Sequence, residues 1–339
     1  MQNCKILTIN DLNKWESYLT GFSDANIYQT WNYAKIMQDE KQVQHLAFLK
    51  NDEVIGIAQV RIKTIPYFSR GVAYIYSGPL WRKKDNKNSV ENFSDIISAL
   101  KKKFVLENKL VLRIKPYIFS DEQLDFPIEH NPLLNMDFRK LDKVYTSLLL
   151  NLNDDLETIN KNLKPRWRNY LNQSIKNELK IAEGNDGELF RTFIKIYEQM
   201  MDRKSFREYV SPVKLMKLNE TLDNRFKCKV FVAYKDDQPA AGLVGTAISN
   251  TGIYLIGATN EHGLELRASY LLHWEMIKWM KSMGCLRYDL GGANKERNPG
   301  GYKFKSGISK FEITDLGIFE TSGSNISKLV LTVGEKIHN

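Results

Sequence analysis

Residues 45–60 read HLAFLKNDEVIGIAQV: an apolar run, the polar quartet Lys50-Asn51-Asp52-Glu53, and a second, alternating run. Two strand-like runs joined by a short Asn/Asp segment predict a β-hairpin, because those side chains tolerate the backbone of tight turns. Residues 230–246, VFVAYKDDQPAAGLVGT, repeat the order, with Lys235-Asp236-Asp237 as the turn.

The likeness continues downstream. AYIYSGP at 73–79 and GIYLIGAT at 252–259 are both aromatic strands that run into a glycine and a small residue. A helix is predicted after each, over 90–104 and 267–280, and then a short strand, at 111–114 and 286–290. Equivalent segments lie about 175–185 residues apart. Each half therefore reads β-β-β-α-β, and the chain carries the unit twice. A hairpin feeding a strand–helix–strand crossover predicts an α/β protein of α+β layers with mixed sheets.

The second helix is the best marked. Ala268, Leu271, Leu272, Met276, Trp279 and Met280 recur at helical spacing, with Gly284 placed to end the helix as its C′ residue. Between the halves, 145–152 reads as a strand and 154–181 as helix, with Pro165 marking a start or a break. The boundary falls near residue 150, giving domains 1–150 and 151–339.

The 339 residues suit two domains, and 42% hydrophobic with 26% charged residues describes an ordinary globular chain. No apolar run approaches the roughly 18 residues of a membrane span. The first ten residues lack the basic and apolar regions of an export signal. Cys4, Cys228 and Cys285 stand far apart, which fits a reducing compartment and excludes a disulfide framework or a zinc site. The expected location is cytoplasmic. A net charge of +9 favours a polyanionic partner, although a lysine-rich composition alone would also produce it.

No nucleophile elbow, locally supported Cys/His pair, metal cluster or Walker loop occurs, so no cofactor and no metal is expected. Helix positions Lys161, Lys164, Arg166, Arg168 and Lys176 meet no acid until Glu178, and Trp167 and Tyr170 interleave with them. That pattern suits an RNA backbone, or simply a solvated helix face. Tyr117 and Tyr254 are either cleft residues or strand core. Asp289 either takes a proton from an ammonium group or fixes the Gly291-Gly292 turn through an Asx-type hydrogen bond; the second reading is favoured.

Four segments resemble the FemABX family of peptidoglycan-bridge aminoacyltransferases. Residues 28–35, YQTWNYAK, look like its Gln-x-x-Trp segment, and KNLKPRWRNYLNQSIK at 161–176 is similar to its basic inter-domain helix. RASYLLHWE at 267–275 resembles its second-domain helix. Most specific is YDLGG at 288–292 followed by GYKFKSG at 301–307, like the family's Tyr-Asp-x-Gly-Gly and Phe-Lys-x-Gly pair. The resemblance spans residues 28–315 and implies two tandem GNAT-like domains, in a compact branch without the helical-hairpin arm.

It also implies roles. Lys305 is expected at the reaction centre, in a turn before Ser306-Gly307, as a donor to the tetrahedral oxyanion or to the tRNA end; a solvated lysine is the bland alternative. Lys35 with Arg203 or Arg207 is expected on the substrate's phosphates, the two arginines being indistinguishable within MDRKSFREY at 201–209. Residues 261–270, EHGLELRASY, lack the glycine-rich turn of acetyl-CoA enzymes and carry Glu261 and Glu265, which favours aminoacyl-tRNA as donor over CoA.

The expected activity is transfer of an amino acid from aminoacyl-tRNA to the side-chain amine of a nucleotide- or lipid-linked muramyl peptide, in cell-wall biogenesis and cell shape. Peripheral contact with the inner face of the membrane would accompany a lipid-linked substrate. The rivals are an N-acyltransferase acting on an amino sugar in surface-polysaccharide synthesis, and a non-catalytic basic RNA- or precursor-binding protein.

Overall fold

The computed structural model describes residues 4–64, 70–84, 90–118, 131–141, 145–203 and 210–323. The chain divides into two compact units, Met1–Tyr145 with Ile313–Asn339, and Thr146–Glu312. Arg207 lies outside the described residues.

The first unit begins with β1 (Lys5–Thr8), α1 (Leu12–Thr20) and α2 (Tyr33–Gln38). The hairpin β2 (Val43–Lys50) and β3 (Glu53–Thr64) follows, then β4 (Gly71–Tyr76), α3 (Val90–Leu100), β5 (Val111–Lys115), α4 (Pro132–Asn135) and β6 (Arg139–Leu141). Asn51 and Asp52 take φ of 52° and 60°, two consecutive left-handed residues whose twist matches that of the strands they join. Phe93, Ile96, Ile97 and Leu100 on α3 are buried against Ala73, Ile75, Leu112 and Ile114 of the sheet.

The second unit runs β7 (Thr146–Asn151), α5 (Leu156–Asn162), α6 (Pro165–Lys176), β8 (Lys180–Gly184), α7 (Gly187–Arg203) and α8 (Pro212–Thr221). Then come β9 (Lys229–Lys235), β10 (Gln238–Ile248), β11 (Thr251–Thr259), α9 (Glu261–Glu265), α10 (Ala268–Ser282), β12 (Arg287–Gly292), α11 (Pro299–Ile308) and β13 (Glu312–Thr314). Asp236 and Asp237, at φ 49° and 58°, form the same kind of turn as their counterparts in the first unit. Gly284 takes φ 79° at the end of α10, the C′ conformation its position predicts. Where 154–181 reads as one helix, there are two helices and a strand; Pro165 opens α6, where a missing N–H costs nothing.

The last described strand, β14 (Ile318–Thr321), belongs to the first unit, where it pairs antiparallel with both β5 and β6. Among the described residues the two sheets have seven strands each, ordered β1-β2-β3-β4-β5-β14-β6 and β13-β7-β12-β11-β10-β9-β8. Read from β1 and from β8 they correspond strand for strand, with β4/β5 and β11/β12 paired in parallel. The β-β-β-α-β unit thus occurs in both halves, and the architecture is a tandem of mixed sheets flanked by helices. The expected second domain of 151–339 differs from the observed unit, because β7 lies beside β12 whereas β14 completes the first sheet.

One difference between the halves matters for chemistry. β4 and β5 pair along the full length of β5, whereas β11 and β12 pair only over Thr251–Ile253 and Arg287–Asp289. Beyond those residues the ladder stops, and Tyr254, Gly291 and Gly292 lie just past the break.

Candidate active site

YDLGG ends β12, and the Asp289 carboxylate, 5% exposed, accepts hydrogen bonds from the Ser147 hydroxyl and from the Gly291 amide, the latter at 2.8 Å. Those bonds hold Gly291 at φ 71°, a conformation that suits glycine. This is the Asx-type turn read in the sequence; the buried carboxylate orders the backbone beside Lys305.

GYKFKSG is not a turn on an extended segment: it lies in α11. Pro299 occupies the first turn and the Asn298 side chain accepts from the Gly301 amide at 2.9 Å, so Asn and Pro start the helix despite three glycines. On a helix, side chains two residues apart diverge by about 200°. Lys305 therefore turns toward the end of β12, where its Nζ donates to the Gly292 carbonyl at 2.9 Å and stands 5.0 Å from the Tyr254 ring centroid. Lys303 and Phe304 turn instead into a cleft of about 470 Å³ within the second unit.

That cleft is walled by α6, α11, α9 and the start of α10. Lys164, Arg166, Arg267 and Lys303 bring four cations to it, Trp167, Tyr170, Tyr270 and Phe304 supply aromatic faces, and among the described residues no carboxylate lines it. Arg166 donates to the Tyr170 hydroxyl at 3.0 and 2.9 Å, which lowers the pKa of that phenol, and Arg267 lies 4.7 Å from the ring centroid of the same tyrosine. Trp167 packs 5.1 Å from Tyr270 and 5.9 Å from Phe304. Arg267 reaches the cleft from the α9–α10 joint, at φ 58°.

The residues singled out in the sequence separate into groups. Lys164 and Arg166 line the cleft. Lys161 instead pairs with Glu157 at 2.6 Å, and Arg168 donates to the Lys161 carbonyl at 2.9 Å; neither lines it. Arg203, at the end of α7, donates to the Thr259 carbonyl at 3.0 Å, and Thr259 is itself a cleft residue. Lys35 is exposed on α2 and Tyr117 partly buried just after β5, both in the first unit. Glu261 and Glu265 are exposed on α9 and stay out of the lining, so the acidity expected there does not reach the cleft. Arg267, Lys303, Tyr270 and Phe304 were not assigned a role from sequence, although all fall within segments quoted above.

Behind Phe304 stands His273, buried on α10, its ring 5.0 Å from Phe304 and 5.3 Å from Tyr254. Burial, with the Lys305 charge nearby, pushes its pKa down to about 3. Among the described residues no group of His, Cys, Asp and Glu could hold a metal, and no helix is long and apolar enough to cross a membrane.

Comparison with known proteins places this geometry. Residues 160–306 match a family model described as an acetyltransferase (GNAT) domain. No curated protein sequence matches the chain. The fold is similar to that of FemX, at a TM-score of 0.76 and 14% identity over 93% of this chain and 96% of that one. It is also similar to a C-terminal domain described as that of a lysylphosphatidylglycerol synthetase from Agrobacterium fabrum (TM-score 0.58, 10% identity, 94% of each chain). L-PGS from Bacillus licheniformis is a further likeness (TM-score 0.52, 11% identity, 95% and 96%). The protein has a FemABX-like tandem GNAT fold. The GNAT domain match, together with that fold, supports an acyltransferase.

Proposed function

We propose that the protein transfers an amino acid from aminoacyl-tRNA to the side-chain amine of a peptidoglycan precursor, a nucleotide- or lipid-linked muramyl peptide, in the cytoplasm. The observation that carries this reading is the cleft of Lys164, Arg166, Arg267 and Lys303 with its aromatic walls, to which no described residue brings a carboxylate. Four cations suit consecutive phosphates, and stacked rings suit an unpaired base, which is how single-stranded RNA ends are held. The same helix that supplies Lys303 and Phe304 carries Lys305 on another side, so one short element serves both phosphate binding and an acyl carbonyl.

In the reaction the neutral acceptor amine attacks the ester carbonyl. A C–N bond forms, the ester C–O bond breaks, and the proton lost by nitrogen ends on the ribose hydroxyl that leaves. Lys305 meets the charge developing on the carbonyl oxygen, and the rest of the rate comes from holding amine and ester together. Lys35, Arg203, Arg207, Tyr117 and Tyr254 are proposed for the acceptor, Lys35 and an arginine on its phosphates. The name lysylphosphatidylglycerol synthetase describes making an aminoacylated lipid, which agrees with a fold suited to aminoacyl transfer.

The test is an incubation of the purified protein with an aminoacylated RNA minihelix and a nucleotide-linked muramyl pentapeptide, read by mass spectrometry. A product heavier by one amino-acid residue is expected. Acetylation of an amino sugar from acetyl-CoA, with no RNA binding at low salt, would replace this reading by the polysaccharide one.

A further inference from the structure

Among the described residues His273 is the one histidine beside Lys305, and its hydrogen bonding determines which ring nitrogen carries the proton. The Tyr288 hydroxyl, on a side chain 0% exposed, lies 3.2 Å from His273 Nδ1 and has no other partner among the described residues. A buried phenol that kept its proton unshared would forfeit a hydrogen bond in a place water cannot reach. Tyr288 therefore donates to Nδ1, and the neutral imidazole carries its own proton on Nε2.

Nε2 meets no protein partner among the described residues, yet it is not among the buried side-chain atoms sealed away without one. A histidine 5% exposed thus keeps its one unused N–H in slight contact with solvent. Its surroundings belong to the end of the β11–β12 ladder and to α11. Tyr254 begins where β11 and β12 cease to pair, Phe304 packs on the imidazole, and Lys305 follows Phe304 on α11. Among the described residues the ionisable groups that contact the ring or act on its charge are Tyr254, Tyr288 and Lys305, two phenols and an ammonium.

We propose that His273 is a further catalytic residue, its Nε2–H donating to the acyl carbonyl oxygen alongside the Lys305 ammonium. The role rests on the acyl-transfer reading. A group fixed in this tautomer has no lone pair on Nε2 and cannot act there as a base. What it offers is a neutral donor held still by Tyr288, and a donor that need not reorient as charge develops is what an oxyanion requires. Burial and the neighbouring ammonium keep the ring neutral, so this donor adds no second cation beside Lys305. The attacking amine then loses its proton to another acceptor, and His273 exchanges none.

The experiment compares three proteins: wild type, His273→Gln, and the double variant His273→Leu/Tyr288→Phe. Glutamine returns an N–H near the position of Nε2. The double variant removes both partners of the buried hydrogen bond, so no orphaned phenol unfolds the site. Single-turnover transfer from aminoacyl-RNA should fall on the order of 10²-fold in the double variant, with donor affinity nearly unchanged, and glutamine should restore at least about tenfold of that loss. Nitrogen-15 spectra of the wild-type imidazole should show a proton on Nε2 throughout pH 5–8. Equal rates in wild type and double variant would overturn the proposal, as would a glutamine variant as slow as the double one. A ring protonated on Nδ1, or an acid limb in the rate matching titration of His273, would make it a base and overturn it too. A wild-type protein that transfers nothing from aminoacyl-RNA would instead remove the functional reading, and the catalytic role with it.

Discussion

Lys305 Nζ donates to the Gly292 carbonyl at 2.9 Å, while Lys303, two residues earlier on α11, lines the cleft. The helix thus sends two lysines into two different surroundings. Lys305→Met should slow single-turnover transfer by about 10²–10³-fold, roughly 2.7–4 kcal/mol, with donor affinity little changed. Lys303→Met should do the reverse, weakening donor binding while sparing the rate at saturation. Equal, mild effects from both would reduce Lys305 to surface charge.

The four cleft cations predict salt-dependent RNA binding, because each phosphate contact releases counterions. Arg166→Ala and Arg267→Ala should each lower the slope of log affinity against log salt by about one. Arg168→Ala should leave that slope nearly unchanged, since its guanidinium already donates to the Lys161 carbonyl. Fluorescence anisotropy across a salt series distinguishes the three.

Gly307 packs face to face with Trp167. A Cβ added there would lie 2.5 Å from Trp167 Cδ1 and 3.0 Å from its Cβ, so a helix must shift to accept alanine. Gly307→Ala should cost about 1–3 kcal/mol and loosen RNA binding, because α6 and α11 are both cleft walls. Gly300→Ala is the matched control: nothing lies within 4 Å of its added Cβ, and its effect on the melting temperature should be near zero.

Two buried groups of the first unit contribute pH dependence of opposite sign. Burial pushes the His45 pKa down from 6.5 to about 4, so its contribution is present above 6.5 and is lost as pH falls toward 4, about 3 kcal/mol in all. Burial raises Asp24 from 3.8 to about 6 against the opposing pull of Arg82; its contribution is present below 3.8 and lost as pH rises through 6. Between pH 6.5 and 4 the proton taken up by Asp24 offsets part of the His45 loss. Melting scans of Asp24→Asn should therefore decline more steeply with acid than wild type; a parallel decline would mean Asp24 is not protonated in the fold.

Much of the fold was legible because it is written in short-range patterns. The Asn51-Asp52 and Asp236-Asp237 turns, the amphipathic α10 and its Gly284 stop each depend on residues within a few positions of one another. α11 was not legible, since Gly300, Gly301 and Gly307 lower its helix propensity; the Asn298 cap, Pro299 and packing on Trp167 outweigh that cost. Nor was the placement of β14 foreseen, because a four-residue strand carries no mark of which open edge it will join.

Taken alone, the sequence determined the duplicated β-β-β-α-β unit, the basic and aromatic character of 161–176, and the Tyr-Asp-x-Gly-Gly and Phe-Lys-x-Gly pair. Periodicity, turn chemistry and side-chain type are properties of neighbouring residues and survive without coordinates. Tertiary structure alone decided that Lys164 and Arg166 share a cleft with Arg267 and Lys303 while Lys161 and Arg168 do not. It alone brought the Tyr288 hydroxyl within 3.2 Å of His273 Nδ1, fifteen residues away along the chain. Both depend on which side chains meet after a helix packs on a sheet, and a proton's location is set by its nearest acceptor in space.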